Sequence, residues 1–156
     1  MKNLKGMTLV EMMVTVVLFS FIVAASVTVF AAGNSTWNNY EASIATQREA
    51  RNALTMLTKD LREASSISIT QDSSSATLSF SRPVIGSVTY TWSAAGGTPK
   101  KIIRQNQSVT RIVAQDISNL AFTDNGSNIV VNITSSKVAV NGPTCTFNVK
   151  EKVAIR

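Results

Sequence analysis

One long apolar segment dominates the N-terminal part of the chain. Residues 12–32 contain no ionisable side chain, and a run of this length and composition predicts a helix that can span a bilayer. The Gly33-Asn34-Ser35 sequence lowers helix propensity directly afterwards, so we expect the helix to bend or unwind there. Small polar residues within the segment are expected to donate to carbonyls of their own helix in preference to bridging neighbouring helices; they are Thr15, Ser20, Ser26 and Thr28.

An amphipathic helix is predicted to follow. Apolar residues recur at steps of three and four from Tyr40 to Ala64, and basic residues take much of the remaining perimeter. The apolar stripe is too narrow and too interrupted by charge to enter lipid, so it should pack on a sheet. The predicted stripe consists of Tyr40, Ile44, Ala50, Leu54, Leu57, Leu61 and Ala64, with Arg48, Arg51, Lys59 and Arg62 outside it.

The remainder of the chain has the alternating pattern of β-strands. After Ser65 the hydrophobic period changes from helical to two, and turn-forming clusters separate the alternating runs. The pattern predicts an α+β fold in which a long N-terminal helix, hydrophobic and then amphipathic, packs on one or two antiparallel sheets. The predicted strands are 67–70, 77–81, 87–93, 101–105, 110–114, 117–122, 129–134 and 146–153.

A single carboxylate interrupts the apolar N-terminal region. Glu11 is the only ionisable residue between positions 7 and 32, and a carboxylate near the bilayer centre costs about 2.5 to 3.5 kcal/mol on insertion scales. Such a group is interpreted as functional, with a cationic partner. Cleavage after Gly6 would supply that cation as the α-amine of Met7, and Glu11 would become the fifth residue of the mature chain.

The sequence Gly6-Met7-Thr8-Leu9-Val10-Glu11, after a short basic leader and before an apolar segment, resembles the prepilin-peptidase signature of type IV pilins and type II secretion pseudopilins. The family usually has Phe where this chain has Met7. The resemblance implies cleavage between Gly6 and Met7, N-methylation of Met7, and pairing of Glu11 with the Met7 amine of a neighbouring subunit. The alternative is an ordinary secretory signal, with a cleavage site near Ala24-Ala25-Ser26, or a plain membrane anchor.

Two further stretches resemble the J component of type II secretion and W-type minor pilins. They are residues 48–62 in the amphipathic helix and residues 112–134 in the predicted strands. This resemblance implies a pilin-like fold and a minor subunit near the tip of a filament. The implied partners are other pilin or pseudopilin subunits, a prepilin peptidase, an inner-membrane assembly platform, and membrane lipid before assembly. Secretion, pilus and competence filaments all remain open.

The expected organisation has three parts. Residues 1–6 form the leader, residues 7–33 the transmembrane and filament-core helix, and residues 34–156 an extracytoplasmic α+β head. Lys2 and Lys5 place the N-terminus in the cytoplasm by the positive-inside rule. The chain is therefore expected to cross the cytoplasmic membrane once and then to enter an extracytoplasmic filament.

Composition narrows the possible chemistry. The chain has no histidine and one cysteine, Cys145, which excludes Ser-His-Asp and Cys-His catalysis and an intramolecular disulfide. Removing Lys2 and Lys5 from the 15 basic residues leaves 13 against 9 acidic ones, a mild net charge of +4. We expect no enzyme activity, cofactor or metal. The cluster Asp124-Asn125-Gly126-Ser127-Asn128 offers oxygen ligands but only one carboxylate, so a hairpin turn is favoured over a calcium loop.

The second hypothesis is a minor pilin whose head binds DNA or a surface, as in a competence or adhesion filament. Basic and aromatic side chains that shared one face would form a patch for single-stranded nucleic acid. A solvated strand face is the more common explanation of such charges. The residues concerned are Lys100, Lys101, Arg104 and Arg111, with Tyr90 and Trp92 upstream.

Overall fold

The computed structural model describes residues 8–94, 100–107, 109–140 and 142–154. The chain divides into two units at the Asn38/Asn39 boundary. Helix α1, Leu9–Arg62, is 54 residues long and contributes to both units. The predicted α+β architecture is confirmed: one long N-terminal helix accompanies two antiparallel sheets.

The first unit consists of the apolar part of α1. An 18-residue window of the helix has a mean hydropathy of 2.5 and is not buried, so its length and composition allow it to cross a membrane. The predicted hydrogen bonds within the helix are confirmed, since Thr15 donates to the Met12 carbonyl at 2.8 Å and Ser26 to the Ile22 carbonyl at 2.8 Å. Ser20 and Thr28 do the same with Val17 and Ala25. The hydroxyl groups therefore need no partner from outside the helix.

The helix does not unwind at its predicted weak point. Residues 33–35 are helical and continue the hydrogen-bonded turns on both sides. Thr36 adds a bond from its hydroxyl to the Ala32 carbonyl at 2.9 Å. The low helix propensity of Gly33, about 1 kcal/mol relative to alanine, is not enough to interrupt a helix of this length.

In the second unit, the predicted apolar stripe is correct in its C-terminal part and wrong at its start. Ala50, Leu54, Leu57, Leu61 and Ala64 are buried. Tyr40 and Ile44 are 65% and 64% exposed, and Ala42 and Thr46 are buried instead. Residues two apart differ by about 200° around a helix, so the first turns of this segment present the opposite face to the one predicted. The small side chains of Ala42 and Thr46 line the buried face, and the Thr46 hydroxyl donates to the Ala42 carbonyl at 2.7 Å.

All eight predicted strands are present, and most extend by one to four residues beyond the predicted limits. Strands β1 to β5 form one meander and strands β6 to β8 a second, with every neighbouring pair antiparallel. The strands are β1 Ser65–Gln71, β2 Ser75–Arg82, β3 Gly86–Ser93, β4 Ile102–Asn106, β5 Val109–Ala114, β6 Ile117–Asp124, β7 Asn128–Val138 and β8 Thr144–Ala154.

In both sheets, every second side chain is buried along much of β2, β3 and β7, and these side chains lie on the face that packs on the core. In the five-stranded sheet, buried residues alternate along β2 and β3, and Phe80 and Tyr90 stack with ring centroids 6.1 Å apart. In the three-stranded sheet, Ile129, Val131 and Ile133 of β7 are completely buried. One buried cluster joins residues from α1 and both sheets. The cation–π contact of Arg51 with the Phe147 ring, at 5.8 Å, adds a link between the helix and β8.

The position of the buried helix face predicts two different mutational costs. Leu57→Ala should lower the free energy of unfolding by about 2 to 5 kcal/mol, because it leaves a cavity in the core. Ile44→Ala should change it by less than about 0.5 kcal/mol, because that side chain faces solvent. Urea titration of a fragment from about Trp37 onward, followed by circular dichroism, measures both. Equal costs for the two variants would contradict the burial of Leu57 and the exposure of Ile44.

Candidate functional site

Glu11 lies in the first turn of α1, where it forms a reciprocal capping box with Thr8. The Thr8 hydroxyl oxygen accepts from the Glu11 amide at 3.3 Å, and the Glu11 carboxylate accepts from the Thr8 amide at 3.5 Å. Thr8 directly precedes the first helical residue, Leu9, and Glu11 is the third residue of the helix. The negative charge also complements the positive end of the helix dipole.

The capping box changes the interpretation of Glu11. The sequence suggested a carboxylate without a local partner, whereas the structure supplies one within the same turn. Helix capping is therefore a second role, which sequence reasoning did not identify although Thr8-x-x-Glu11 has the capping-box spacing. Gly6 and Met7 lie outside the described residues, so cleavage, methylation and pairing of Glu11 with a Met7 amine stay predictions.

The second unit contains a buried charged residue that sequence reasoning missed. Asp60, near the end of α1, is 4% exposed and lies between the core residues Leu57 and Leu61. A buried carboxylate requires hydrogen-bond donors and a compensating charge. Three neighbouring strands of the five-stranded sheet supply them.

Arg82, Tyr90 and Arg104 all donate to the Asp60 carboxylate. Arg82 Nη1 lies 2.8 Å from Oδ1, and Tyr90 Oη and Arg104 Nε lie 2.7 Å and 2.8 Å from Oδ2. These donors stand on β2, β3 and β4, and Tyr90 and Arg104 are paired directly across the β3–β4 ladder. Arg82 also forms an ion pair with Glu63, which lies three residues after Asp60 and directly past the end of α1. We call these five residues the Asp60 cluster.

The electrostatics of the Asp60 cluster are balanced. Its two guanidinium groups and two carboxylates sum to zero net charge, and both arginine side chains are less than 15% exposed. Burial, together with the hydrogen bond to Asp60, raises the pKa of Tyr90 above its ordinary value, so the phenol remains a donor at alkaline pH where an exposed tyrosine would ionise. Burial by itself lowers the pKa of Arg104, but the hydrogen bond and charge of Asp60 outweigh it and the net shift is upward.

The Asp60 cluster is suited to structure and not to catalysis. Its carboxylate already accepts from three donors, and no nucleophile with a neighbouring base occurs in it. Its effect is to attach the C-terminal end of α1 to three adjacent strands at once. The cluster thereby fixes the register of the helix on the five-stranded sheet.

Tyr90, Trp92 and Arg104 do not form the basic aromatic patch that the sequence offered as the alternative to a solvated strand face. Tyr90 and Trp92 are 0% and 3% exposed. Tyr90 donates to Asp60, and the Trp92 indole donates to the Ile117 carbonyl at 3.0 Å. Arg104 is bound to Asp60 as well. Stacking with a base needs an exposed aromatic face, so these aromatic residues offer no nucleic-acid platform.

The oxygen-rich cluster after β6 is a hairpin turn, as predicted. The Asp124 carboxylate accepts from the Gly126 amide at 2.8 Å, and the Asn125 amide donates to the Asn128 carbonyl at 3.0 Å. Gly126 has φ +80°, which a glycine adopts without a steric penalty. Cys145 is half-buried, with its sulfur 3.7 Å from the Asn39 carbonyl oxygen.

Comparison with known families identifies the N-terminal region. A family described as "Prokaryotic N-terminal methylation motif" matches residues 1–27. This signature supports a type IV pilin or pseudopilin that a prepilin peptidase processes and that assembles with other pilin subunits. Such proteins are structural filament subunits and not an enzyme family, and the signature and apolar helix fit an inner-membrane anchor. Comparison with curated proteins and with solved structures gives no match.

Proposed function

We propose that the chain is a minor pilin or pseudopilin that is cleaved between Gly6 and Met7, methylated on the Met7 amine and assembled into a filament. Residues 1–6 act as the leader, and residues 7–33 anchor the chain before forming part of the filament core. Residues 34–156 are the head outside the cytoplasmic membrane. Lys2 and Lys5 hold the N-terminus on the cytoplasmic side.

The observation that carries this proposal is the position of Glu11. It is the third residue of an apolar helix, it would be the fifth residue after cleavage, and it lies inside the matched N-terminal signature. The capping box with Thr8 does not by itself require the charge, because Gln serves in the same position, and an intramembrane carboxylate is costly. Assembly gives it a use, since the Met7 amine of a neighbouring subunit would need a counter-charge in an apolar bundle.

The proposed place of the subunit is near the filament tip and below its last member. The resemblance of residues 48–62 and 112–134 to J-type pseudopilins and W-type minor pilins supports a minor subunit. A subunit at the extreme tip has no neighbour above it whose amine needs a partner. Retention of Glu11 therefore favours a position with a neighbour above.

Processing gives the direct test. Co-expression of the full chain with a prepilin peptidase should remove residues 1–6 and leave an N-terminal Met7 that carries one methyl group. Gly6→Val should block both changes, because the protease needs close approach to a backbone without a side chain. Intact-mass and N-terminal peptide mass spectrometry measure these products.

Two controls make the processing result specific. A catalytically inactive peptidase should leave the chain at full length, and Gly33→Val should be cleaved like the wild type because it lies far from the signature. An N-terminus near Ser26 would identify a secretory signal and refute the proposal.

A further inference from the structure

Strand β5 is an open edge of the five-stranded sheet. It is the last strand in the order β1 to β5, and no other described strand pairs with its outer side. Residues 109–112 are all exposed, including Val109 at 65% and Ile112 at 46%. An exposed edge with apolar side chains is a template for pairing with another strand.

Strand β8, an edge of the three-stranded sheet, carries exposed lysines that β5 lacks. Lys150 and Lys152 are exposed along β8 and alternate with residues that face the core. Lysines on an edge strand oppose the approach of a second strand. Strand β5 carries one exposed charge, Arg111, against the two exposed lysines of β8, so of these two edges it is the less protected.

Arg111 gives the β5 edge a specific charge preference. It lies directly opposite Arg104 in the β4–β5 ladder, and like charges in that position destabilise a sheet. The Arg104 guanidinium is bound to Asp60. Arg111 is exposed, and no described carboxylate forms an ion pair with it. A carboxylate placed beside Arg111 would remove this imbalance.

We propose that β5 binds an extended strand of another protein that carries Asp or Glu beside Arg111. The partner would extend the five-stranded sheet through main-chain hydrogen bonds, and its carboxylate would fix the register against Arg111. A second copy of this chain pairing through β5 does not meet the requirement, because β5 contains no acidic residue. The proposal does not depend on filament assembly.

Site-specific crosslinking in the native host tests the proposal with the full chain. A benzophenone amino acid at Thr110, on the exposed edge, should form an adduct with an acidic segment of a different protein, identified by peptide mass spectrometry. The matched control is the same amino acid at Asn148, exposed on β8. Arg111→Glu should lower the Thr110 adduct about fivefold, whereas Arg111→Lys should keep it. Equal protease resistance of the variants confirms that they are folded.

A charge exchange then tests whether the partner's carboxylate pairs directly with Arg111. Replacing the crosslinked acid of the partner by Lys should restore the adduct with Arg111→Glu. Failure of that restoration would overturn the proposal. An adduct with a second copy of the chain or with nucleic acid, equal adducts from Thr110 and Asn148, or no adduct at Thr110 would also overturn it.

Discussion

Asp60→Ala is expected to lower the free energy of unfolding of the head by about 3 to 5 kcal/mol, the usual cost of removing one partner from a buried ion pair. The variant leaves Arg82 and Arg104 buried beside Tyr90 with their shared acceptor gone. Asp60→Asn keeps the size of the side chain but loses the charge, so it should also be strongly destabilising. Urea unfolding of the fragment from about Trp37 onward measures these costs.

Two exposed carboxylates provide matched controls for Asp60. Glu63→Ala removes the 54% exposed partner of Arg82 and should cost less than about 1 kcal/mol, because solvent screens that pair. Asp72→Ala, in the β1–β2 turn, should cost about as little. If Asp60→Ala were no more costly than these controls, the cluster would not hold the helix to the sheet.

Glu11→Ala is expected to leave membrane insertion and cleavage intact and to reduce incorporation into filaments by a hundredfold or more. Loss of one partner of a buried ion pair costs about 3 to 5 kcal/mol, which is roughly that factor or more in an equilibrium constant. Pull-down or crosslinking of the subunit with its filament partners, normalised to the amount of cleaved subunit, measures the effect.

The capping box allows the two roles of Glu11 to be separated. Glu11→Gln keeps a side chain that serves in a capping box but removes the charge, whereas Thr8→Ala removes the cap and keeps the charge. If the amine pairing governs assembly, Glu11→Gln should reduce incorporation into filaments as much as Glu11→Ala does. Thr8→Ala should lose only about 0.5 to 2 kcal/mol of helix stability. Equal incorporation of wild type, Glu11→Ala and Glu11→Gln would refute the pairing.

The strands were predictable because their signals are local. Alternating burial in β3 follows directly from the alternation of Val88, Tyr90 and Trp92 with Ser and Thr in the sequence. Turn chemistry marked the boundary after β6, where Asp124 and Gly126 form the hairpin. Strand order was not predicted, because pairing depends on which faces meet in three dimensions and the periodicity describes only one strand at a time.

The errors lie where tertiary contacts override the local pattern. Tyr40 and Ile44 fit the helical period, but the buried face there is lined by the smaller Ala42 and Thr46. Asp60 resembled one more solvated charge among Lys59 and Arg62. Its spacing of three residues from Leu57 placed it on the apolar face, and that signal was available. Its partners on three strands could not be predicted, since they lie 22 to 44 residues away in the sequence.

The candidate functional residues also divide into those with a local sequence signal and those that depend on tertiary contacts. Glu11 was identifiable because an acid in an apolar segment is conspicuous in any sequence. Its capping partner, Thr8, is equally local, and the Thr8-x-x-Glu11 spacing is a signal for it. The open edge at β5 required the sheet order, and the finding that no described carboxylate forms an ion pair with Arg111 required the side-chain contacts of the head.

The meander order of both sheets has a kinetic consequence. Each strand pairs with the strand next to it in the sequence, so hairpins can close over short loops without waiting for distant segments, a property of rapidly folding chains. The Asp60 cluster, in contrast, depends on a long-range contact, because Arg104 comes 44 residues after Asp60. The cluster is complete only once β4 has joined the sheet. The complete set of contacts to Asp60 therefore needs β2, β3 and β4 in place together, whereas each hairpin needs only its own two strands.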